Sequence, residues 1–305
     1  MMFVLIRTSR GKKYARRIGQ ELKRINPRNN WLIPTVGYFQ ESFRQRPHLN
    51  PSNTLIHSRA AYPDGPTWMR NLVAMEEQGF RVVNNTEVLR LTSNKLRCSQ
   101  KLYGAGLPHP KTWETNRQGV DAFGIWHRLV CAEVHPSAPI PKAIVKPYTS
   151  MGQGTFVKVI TLHNPEIIKE ACWNSPTSKV IVQEFVPYVA IYRVVVIGGE
   201  AIPISWRDEV TRDRWKVSVC LNRNMEFIPN PDSELLRIAE RTQEVIGGEI
   251  NFIDVFETQQ GYVLSEINTA CSLLIHERKA REARSTHWNI AGYIAEYLTE
   301  QSRRV

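Results

Sequence analysis

The segment that decides the fold reads INFIDVFE at residues 250–257, TQQG at 258–261 and YVLSEIN at 262–268. Two apolar runs joined by a short loop that ends in glycine predict a β-hairpin. Gly261 can adopt the positive φ that a three-residue loop requires. We therefore expect two antiparallel strands in this segment.

The register of this hairpin brings two acids together. If Thr258 pairs with Tyr262, Asp254 lies opposite Glu266. Asn268 shares their face, because side chains two positions apart along a strand point the same way. Carboxylates directly opposed across strands repel each other, so a positive charge is needed between them. Mg²⁺ fits this need, since it prefers oxygen ligands and is typically held by one or two carboxylates together with substrate phosphates.

The alternative interpretation is a pair of solvated acids on an exposed hairpin. The same register sets Val255 opposite Ser265 and places Phe256 and Leu264 on the face of the acids. Exposing the acids would then expose two large apolar side chains as well, which is unfavourable in water. The pattern therefore favours a metal site.

A second segment combines a lysine with a glycine-containing loop. Lys146 lies in an otherwise apolar strand predicted at residues 143–147, where a charge is costly to bury without an anionic partner. The following loop contains Gly152, Gln153 and Gly154, and glycine lets backbone N–H groups approach phosphate oxygens closely. No Walker A sequence is present. Taken alone, a glycine loop between strands is weak evidence, but together with the metal site predicted on the hairpin it indicates a phosphate-binding site.

A third segment, VIVQEFVP at residues 180–187, is predicted to be a strand that ends in mixed polar and apolar residues. Such an edge can present main-chain groups to an adenine ring while Phe185 or Val186 packs near the ring face. Taken alone, the segment predicts only a core strand.

The rest of the sequence predicts the strands and helices that surround these three segments. Strands and helices alternate in the N-terminal third, which predicts an α/β layer with parallel pairing. Its strands are expected at 3–6, 31–33, 54–57 and 81–83, with a helix at 66–78. Further on, helices are expected at 93–105, 119–133, 233–246 and 290–301, and strands at 155–160, 192–197 and 201–205.

Length and composition describe a soluble globular protein: the chain has 305 residues, 42% of them hydrophobic. No apolar run is long enough to span a bilayer, and the apolar start is interrupted at Arg7, too early for a signal peptide. We therefore expect a cytoplasmic location and no membrane association. The five cysteines are scattered and form no CxxC pair, which argues against disulfides and zinc.

Positive charge is concentrated at the N-terminus. Residues 1–50 contain eleven Lys or Arg and two Glu, so they carry +9 of the formal net charge of +11. Such a region indicates an anionic partner, namely nucleic acid, phosphate groups or an acidic peptide. A solvated helix face explains the same charge equally well.

In their order along the chain, these motifs resemble the ATP-grasp superfamily, most closely its carboxylate–amine ligases of the ribosomal-S6-modification type. The resemblance covers nearly the whole chain, and its most specific motif is the acid followed by Glu-x-Asn on the hairpin. Further matching segments are 93–95, 106–112, 146–147, 152–154, 183–186, 192–194, 198–199 and Arg207.

The resemblance implies an α/β protein with the ATP-grasp fold and three subdomains. They would be an N-terminal pre-ATP-grasp α/β subdomain at 1–92, a small central subdomain at 93–178 and a C-terminal antiparallel-sheet subdomain at 179–305. ATP would lie between the last two, and the metal site would belong to the C-terminal subdomain.

The resemblance also implies roles for single residues. Lys95 and Lys146 would contact the nucleotide phosphates, with Lys101 as the alternative to Lys95. Arg207 would steady the transferred phosphate, and it forms the catalytic pair with Lys146. The implied ligands of Mg²⁺, or of Mn²⁺ in its place, are Asp254, Glu266 and Asn268. The other implied ATP contacts are Gly152, Gln153, Gly154, Gln183, Glu184, Phe185, Val186 and Arg193.

The implied reaction phosphorylates a carboxylate with ATP, after which an amine displaces the phosphate and forms an amide. Positioning and charge neutralisation suffice for this chemistry, so no protein nucleophile is needed. The alternative is a catalytically weakened ATP-binding protein whose basic N-terminal region docks nucleic acid or an acidic partner. We expect anionic acid and amine substrates; nucleic acid is less favoured, and a homo-oligomer is left open.

Overall fold

The computed structural model describes residues 1–7, 12–35, 39–59, 66–116, 142–147, 157–161, 166–175, 179–209, 226–271 and 289–304. The helices are α1 (Lys12–Ile25), α2 (Phe39–Arg44), α3 (Pro66–Glu77), α4 (Thr86–Ser93), α5 (Lys95–Gly104), α6 (Glu166–Asn174), α7 (Ser233–Ile246) and α8 (Ile290–Gln301), followed by a 3-10 turn at Ser302–Arg304. None of the helices in these ranges is long and apolar enough to cross a bilayer.

The strands form three sheets. They are β1 (Met2–Arg7), β2 (Asn30–Leu32), β3 (Thr54–Arg59), β4 (Arg81–Val83), β5 (Thr112–Asn116), β6 (Lys142–Pro147), β7 (Lys158–Thr161), β8 (Lys179–Glu184), β9 (Ala190–Ile197), β10 (Glu200–Glu209), β11 (Glu226–Ile228), β12 (Ile250–Thr258) and β13 (Gly261–Asn268). The predicted helices at 233–246 and 290–301 are confirmed to the residue. The helix predicted at 119–133 lies outside the described ranges. The helix predicted at 93–105 begins two residues later than expected: Ser93 ends a separate helix, α4, and α5 starts at Lys95.

The N-terminal sheet has the order β2-β1-β3-β4, and every pairing is parallel, as the alternation of strands and helices predicts. Ala15, Ile18 and Leu22 recur at helical spacing along α1 and are fully buried. They join a core that includes Ile294 and Leu298 of α8. The first and last helices of the chain therefore pack together on one side of this sheet.

The central sheet has the order β5-β8-β6-β7 and is antiparallel. Strand β8 pairs with both β5 and β6. The predicted boundary between residues 178 and 179 would place this strand in the C-terminal subdomain. Its pairing instead puts the end of the central sheet at Glu184.

The C-terminal sheet has the order β11-β10-β9-β12-β13, also antiparallel. One face carries Val194, Ile253 and Val255, which share a core with α5 and α7. The other face carries Val195 and Phe252, which share a core with α1, α8 and the N-terminal sheet. Strand β12 is therefore buried on both sides, which explains its nearly continuous apolar sequence.

A β-bulge interrupts the hairpin of β12 and β13. Asp254 pairs with Glu266, but the next pair is Val255 with Leu264, so Ser265 has no partner on β12. The predicted facing of the two acids is confirmed, whereas the predicted pairs of Thr258 with Tyr262 and Val255 with Ser265 are wrong. Thr258 pairs with Gly261, whose φ is +117°. The turn is one residue shorter than predicted. The extra residue at the bulge, Ser265, compensates for this, so Asp254 still lies opposite Glu266.

The bulge also changes which side chains share a face. Leu264, predicted on the face of the acids, lies opposite Val255 and is 1% exposed within the core beneath α7. Phe256 remains on the side of the acids, where its ring stacks on Tyr188 with the centroids 4.2 Å apart. The two apolar residues near the acids therefore pack on different faces of the sheet, Leu264 fully buried and Phe256 half-buried.

Candidate active site

Asp254 lies on β12, an inner strand of the C-terminal sheet, and its side chain is 7% exposed. Arg193, directly opposite on β9, donates one hydrogen bond to each carboxylate oxygen, at 2.6 and 2.7 Å. Burial raises the pKa of Asp254, and the Arg193 guanidinium opposes that rise. A bidentate pair also fixes the orientation of the carboxylate.

Glu266 faces Asp254 from β13 and has a different cationic partner. Lys95, the first residue of α5, forms an ion pair with its Oε1 atom. Partial burial raises the pKa of Glu266, but the Lys95 ammonium outweighs it, assisted by Lys146 and Arg193, and lowers the pKa to about 2. Glu266 is therefore ionised throughout the neutral range.

Lys146 extends from β6 and is held by a short chain of hydrogen bonds. Its ammonium donates to Gln183 Oε1 at 2.7 Å, and Gln183 Nε2 donates to Thr112 Oγ1 at 2.9 Å. Because both ends of the buried amide are used, Gln183 fixes where the ammonium lies. Burial, followed by repulsion from Lys95, lowers the pKa of Lys146 to about 8.

One cavity brings these side chains together. It lies where α5, the central sheet and the edge strand β13 meet. Its polar lining includes Lys95, Lys146, Gln183 and Glu266. Lys101, the alternative to Lys95, is exposed in the last turn of α5 and does not line the cavity. The structure therefore gathers two of the predicted phosphate lysines and one of the predicted metal ligands around a single space.

His109, for which the sequence pattern predicts no role, also lines this cavity. Its Nδ1 atom lies 2.9 Å from the Pro110 carbonyl oxygen and 3.1 Å from Ser99 Oγ. Burial, with repulsion from Lys146, lowers the pKa of His109 to about 4, so the imidazole is neutral at physiological pH. The only signal for it was its place between two prolines just after α5.

The loop around His109 joins the two sheets beside the cavity. Pro108 O accepts a hydrogen bond from Leu264 N of β13 at 2.7 Å. Lys111 O accepts one from Glu184 N of β8 at 2.9 Å. The backbone from 108 to 111 therefore sets the spacing between the central and C-terminal sheets.

Comparisons with known proteins agree with this arrangement. No family model matches the chain. Over 198 residues, 64% of this chain and 66% of the relative, it is 25% identical to the glutamate–LysW ligase ArgX of Sulfolobus acidocaldarius. Over 227 residues, 71% of this chain and 73% of the relative, it is 26% identical to the coenzyme gamma-F420-2:alpha-L-glutamate ligase of Methanocaldococcus jannaschii. Among solved structures, the ATP-grasp ligase PsnB with its minimal precursor superposes with a TM-score of 0.65 at 17% identity, covering 98% of this chain and 99% of PsnB.

The chain has the ATP-grasp fold. Its relatives are ligases, and it is an ATP-dependent ligase that forms carbon–nitrogen bonds. These likenesses do not support the alternative of a catalytically weakened ATP-binding protein.

The segment that the resemblance predicts to contact adenine lies at the end of β8. Gln183 is buried and points its amide oxygen to Lys146, while Glu184 is exposed. Phe185 and Val186 are half-buried. The loop residues Gly152, Gln153 and Gly154 lie outside the described ranges.

Arg207 lies apart from the acid cluster. On β10 it is paired with Tyr192, and Tyr192 lies on the opposite face of β9 from Arg193. Its guanidinium bonds to Glu257 Oε2 at 3.2 and 3.3 Å and lies 5.9 Å above the Tyr192 ring. The described residues therefore do not bring Arg207 onto the face of Asp254.

The predicted ligands fit a magnesium ion in their chemistry. Two carboxylates and one amide are hard oxygen donors, and the remaining positions around Mg²⁺ are usually filled by water and substrate phosphates. The Asn268 amide nitrogen is buried without a hydrogen-bond partner among the described residues, so it can donate to a phosphate oxygen. The same ranges contain no cluster of three His, Cys, Asp or Glu side chains that could hold a metal ion without such additional ligands.

Proposed function

We propose that this ATP-grasp ligase couples a carboxylate to an amine through an acyl phosphate. The γ-phosphoryl group of ATP is transferred to a carboxylate oxygen, which releases ADP. The amine nitrogen then forms a bond to the carbonyl carbon, phosphate leaves, and the nitrogen loses a proton. The observation that carries this proposal is the convergence of Lys95, Lys146 and Glu266, each from a different element, on one cavity.

Each residue in the cluster has a task that follows from its charge. Lys95 and Lys146 neutralise phosphate oxygens during transfer, when positioning and charge compensation provide most of the rate enhancement. Gln183 keeps the Lys146 ammonium in place through its hydrogen bond. Arg193 acts through Asp254, because both of its bonds to that carboxylate are already formed.

Asp254, Glu266 and Asn268 would hold Mg²⁺, or Mn²⁺ in its place. The ion, when bound, would neutralise charge on the β- and γ-phosphates. The backbone at Glu184 and Val186 would contact adenine, with Phe185 near the ring. The glycine loop at 152–154 would cover the phosphates, and Arg207 would steady the acyl phosphate, which requires that substrate extends to its face of the sheet.

The substrate side of the proposal rests on the exposed face of α1. The only acid of this helix, Glu21, is buried and paired with Arg17 and Arg24. The other cations of the helix are exposed: Lys12, Lys13, Arg16 and Lys23. This imbalance favours an anionic substrate, for which an amino acid such as glutamate, an acidic peptide terminus or a phosphorylated molecule qualifies. The names of both relatives include glutamate. The cytoplasmic location stays a prediction.

A substrate screen tests the ligase proposal. Purified protein is incubated with ATP, Mg²⁺ and pools of amino acids, acidic peptides and nucleotides, and both ADP and new product masses are recorded. We expect ADP release that depends on one acid and one amine and that Glu266→Ala abolishes. ATP binding without ADP or acyl phosphate across the whole panel would argue for the non-catalytic alternative.

A charge variant tests the anionic substrate. The triple variant Lys12→Gln, Lys13→Gln, Arg16→Gln leaves the ion pair between Arg17 and the buried Glu21 intact. We expect a substrate KM at least several-fold higher, with the affinity for ATP unchanged. Arg237→Gln, which removes an exposed cation from α7, is the matched control. An unchanged KM in the triple variant would show that the basic face is merely solvated.

A further inference from the structure

The ion pair between Lys95 and Glu266 joins two groups to which the proposed function gives different partners. In that function, Lys95 binds phosphate and Glu266 binds a divalent cation. In the structure, each of them neutralises the other. This ion pair must therefore separate before Lys95 can bind a phosphate and Glu266 can bind a metal ion.

The cavity leaves little room for a nucleotide and a metal ion beside the intact ion pair. The cavity measures about 30 Å³, whereas small-molecule sites typically measure about 300–1,000 Å³. Among the residues that the structure describes here, the cations Lys95, Lys146 and Arg193 outnumber the carboxylates Asp254 and Glu266 by one. A divalent cation entering alone would meet a cluster that is already positive, whereas the phosphates of ATP would reverse that balance.

Of these three cations, Lys95 is the one that can change partners. Arg193 is 4% exposed and bonds to both oxygens of Asp254, so removing it would leave a buried carboxylate unpaired. Lys146 is tied to the buried amide of Gln183. Within the described part of the chain, the Lys95 ammonium bonds to Glu266 alone, through a flexible four-carbon side chain.

The backbone below Lys95 is fixed, which confines any movement to the side chain. Asn94 closes α4, because its N–H donates to Leu91 O. The same residue opens α5, because its side chain accepts a hydrogen bond from Arg97 N. The Lys95 ammonium can thus move between two partners while its Cα stays in place.

We infer that Lys95 acts as an internal counterion that occupies Glu266 until nucleotide phosphates draw the ammonium away. This inference rests on the proposed function. It assigns Lys95 a second role as a positioning residue, through which nucleotide and divalent cation bind cooperatively. Metal binding without nucleotide is weak because Lys95 competes for the same carboxylate.

Direct binding of Mn²⁺ tests this role without any turnover. The electron paramagnetic resonance signal of free Mn²⁺ is titrated with wild-type protein, with and without a non-hydrolysable ATP analogue. We expect the analogue to raise the Mn²⁺ affinity by at least about tenfold, within the usual range of coupling between sites. In Lys95→Met we expect Mn²⁺ without nucleotide to bind roughly tenfold more tightly than in wild type, and the coupling to shrink to the part that comes from phosphate oxygens binding the ion directly.

Lys101→Met removes an exposed cation from the same helix and should leave both affinities unchanged. If Lys95→Met binds Mn²⁺ alone no better than wild type, the counterion role is overturned. Should that variant fail to fold, wild type alone decides: equal Mn²⁺ affinity with and without the analogue overturns the inference. Wild-type protein that binds neither Mn²⁺ nor the analogue, even together, would instead contradict the proposed function.

Discussion

Arg193 bonds to both oxygens of Asp254 from the neighbouring strand, in the middle of the C-terminal sheet. A carboxylate with this burial could not remain ionised without a cation beside it. The guanidinium leaves the remaining lone pairs of each oxygen available to other partners. The orientation of Asp254, a proposed metal ligand, and the stability of the sheet are therefore linked at this pair.

We expect Arg193→Met to destabilise the protein by about 3–5 kcal/mol, because it leaves the Asp254 carboxylate buried and unpaired. The loss should be smaller in the double variant Arg193→Met, Asp254→Asn, which removes the stranded charge. Urea unfolding measures both. Arg207→Met is the control; its partner Glu257 is 30% exposed, and we expect a cost of at most about 1 kcal/mol. Equal costs for the two single variants would contradict this explanation.

We expect the stabilising effect of Glu266 to depend on pH. Its pKa in the folded protein is about 2, below the ordinary value of 4.5. The carboxylate therefore contributes stability above pH 4.5, and that contribution is lost as the pH falls towards 2. Glu266→Gln should lower the midpoint of thermal unfolding at pH 7, and the difference from wild type should shrink below pH 4. A difference that is constant from pH 7 to pH 3 would exclude the ion pair as its source.

We expect the affinity of the free enzyme for an ATP analogue to fall as the pH rises above about 8. Lys146 has a pKa lowered from 10.5 to about 8, so its ammonium is lost in this range. A neutral amine cannot compensate phosphate charge. Calorimetric titration between pH 7 and pH 9.5 measures the decline, and Lys146→Met should bind weakly without this pH dependence.

The matched control for this titration is Lys158→Met, on the neighbouring strand β7. Lys158 pairs with Glu170 at the surface and should show the wild-type pH profile. A decline that persists in Lys146→Met would assign the titration to another group.

We expect Asn84→Ala to destabilise the protein by about 2–4 kcal/mol. Asn84 is fully buried, accepts hydrogen bonds from Glu249 N and Ile250 N at 2.7 and 2.9 Å, and donates one to Ile250 O at 2.8 Å. Its removal leaves these backbone groups at the start of β12 without partners, and each such group typically costs about 1–3 kcal/mol. Chemical unfolding measures the loss. Asn174→Ala, at an exposed site on α6, should change stability by less than about 0.5 kcal/mol.

Local patterns in the sequence predicted the elements that depend on local signals. The spacing of apolar residues gave α7 and α8, and Gly261 marked the turn of the hairpin. The opposition of Asp254 and Glu266 also followed from alternation along two adjacent strands. These predictions succeed because every residue involved is close in sequence to its partner.

Contacts between distant segments could not be predicted in this way. Lys95 and Glu266 are 171 positions apart, and no pattern links a helix start to an edge strand so far along the chain. The position of Arg207 along β10 depends on a shift of register between β9 and β10, and no turn residue in the sequence indicates this shift. Strand β8 joins the central sheet because its partners are β5 and β6, and its apolar sequence suits either sheet equally well.

The bulge at Ser265 reverses the alternation of side chains between the two faces of β13. Before the bulge, the even-numbered position Leu264 faces the core beneath α7, whereas after it the odd-numbered position Ile267 faces that core. Loss of a single residue between Tyr262 and Ser265 would force a choice between keeping Leu264 in the core and keeping Glu266 opposite Asp254. Substitutions in this strand can be tolerated one at a time, but its length cannot change by one.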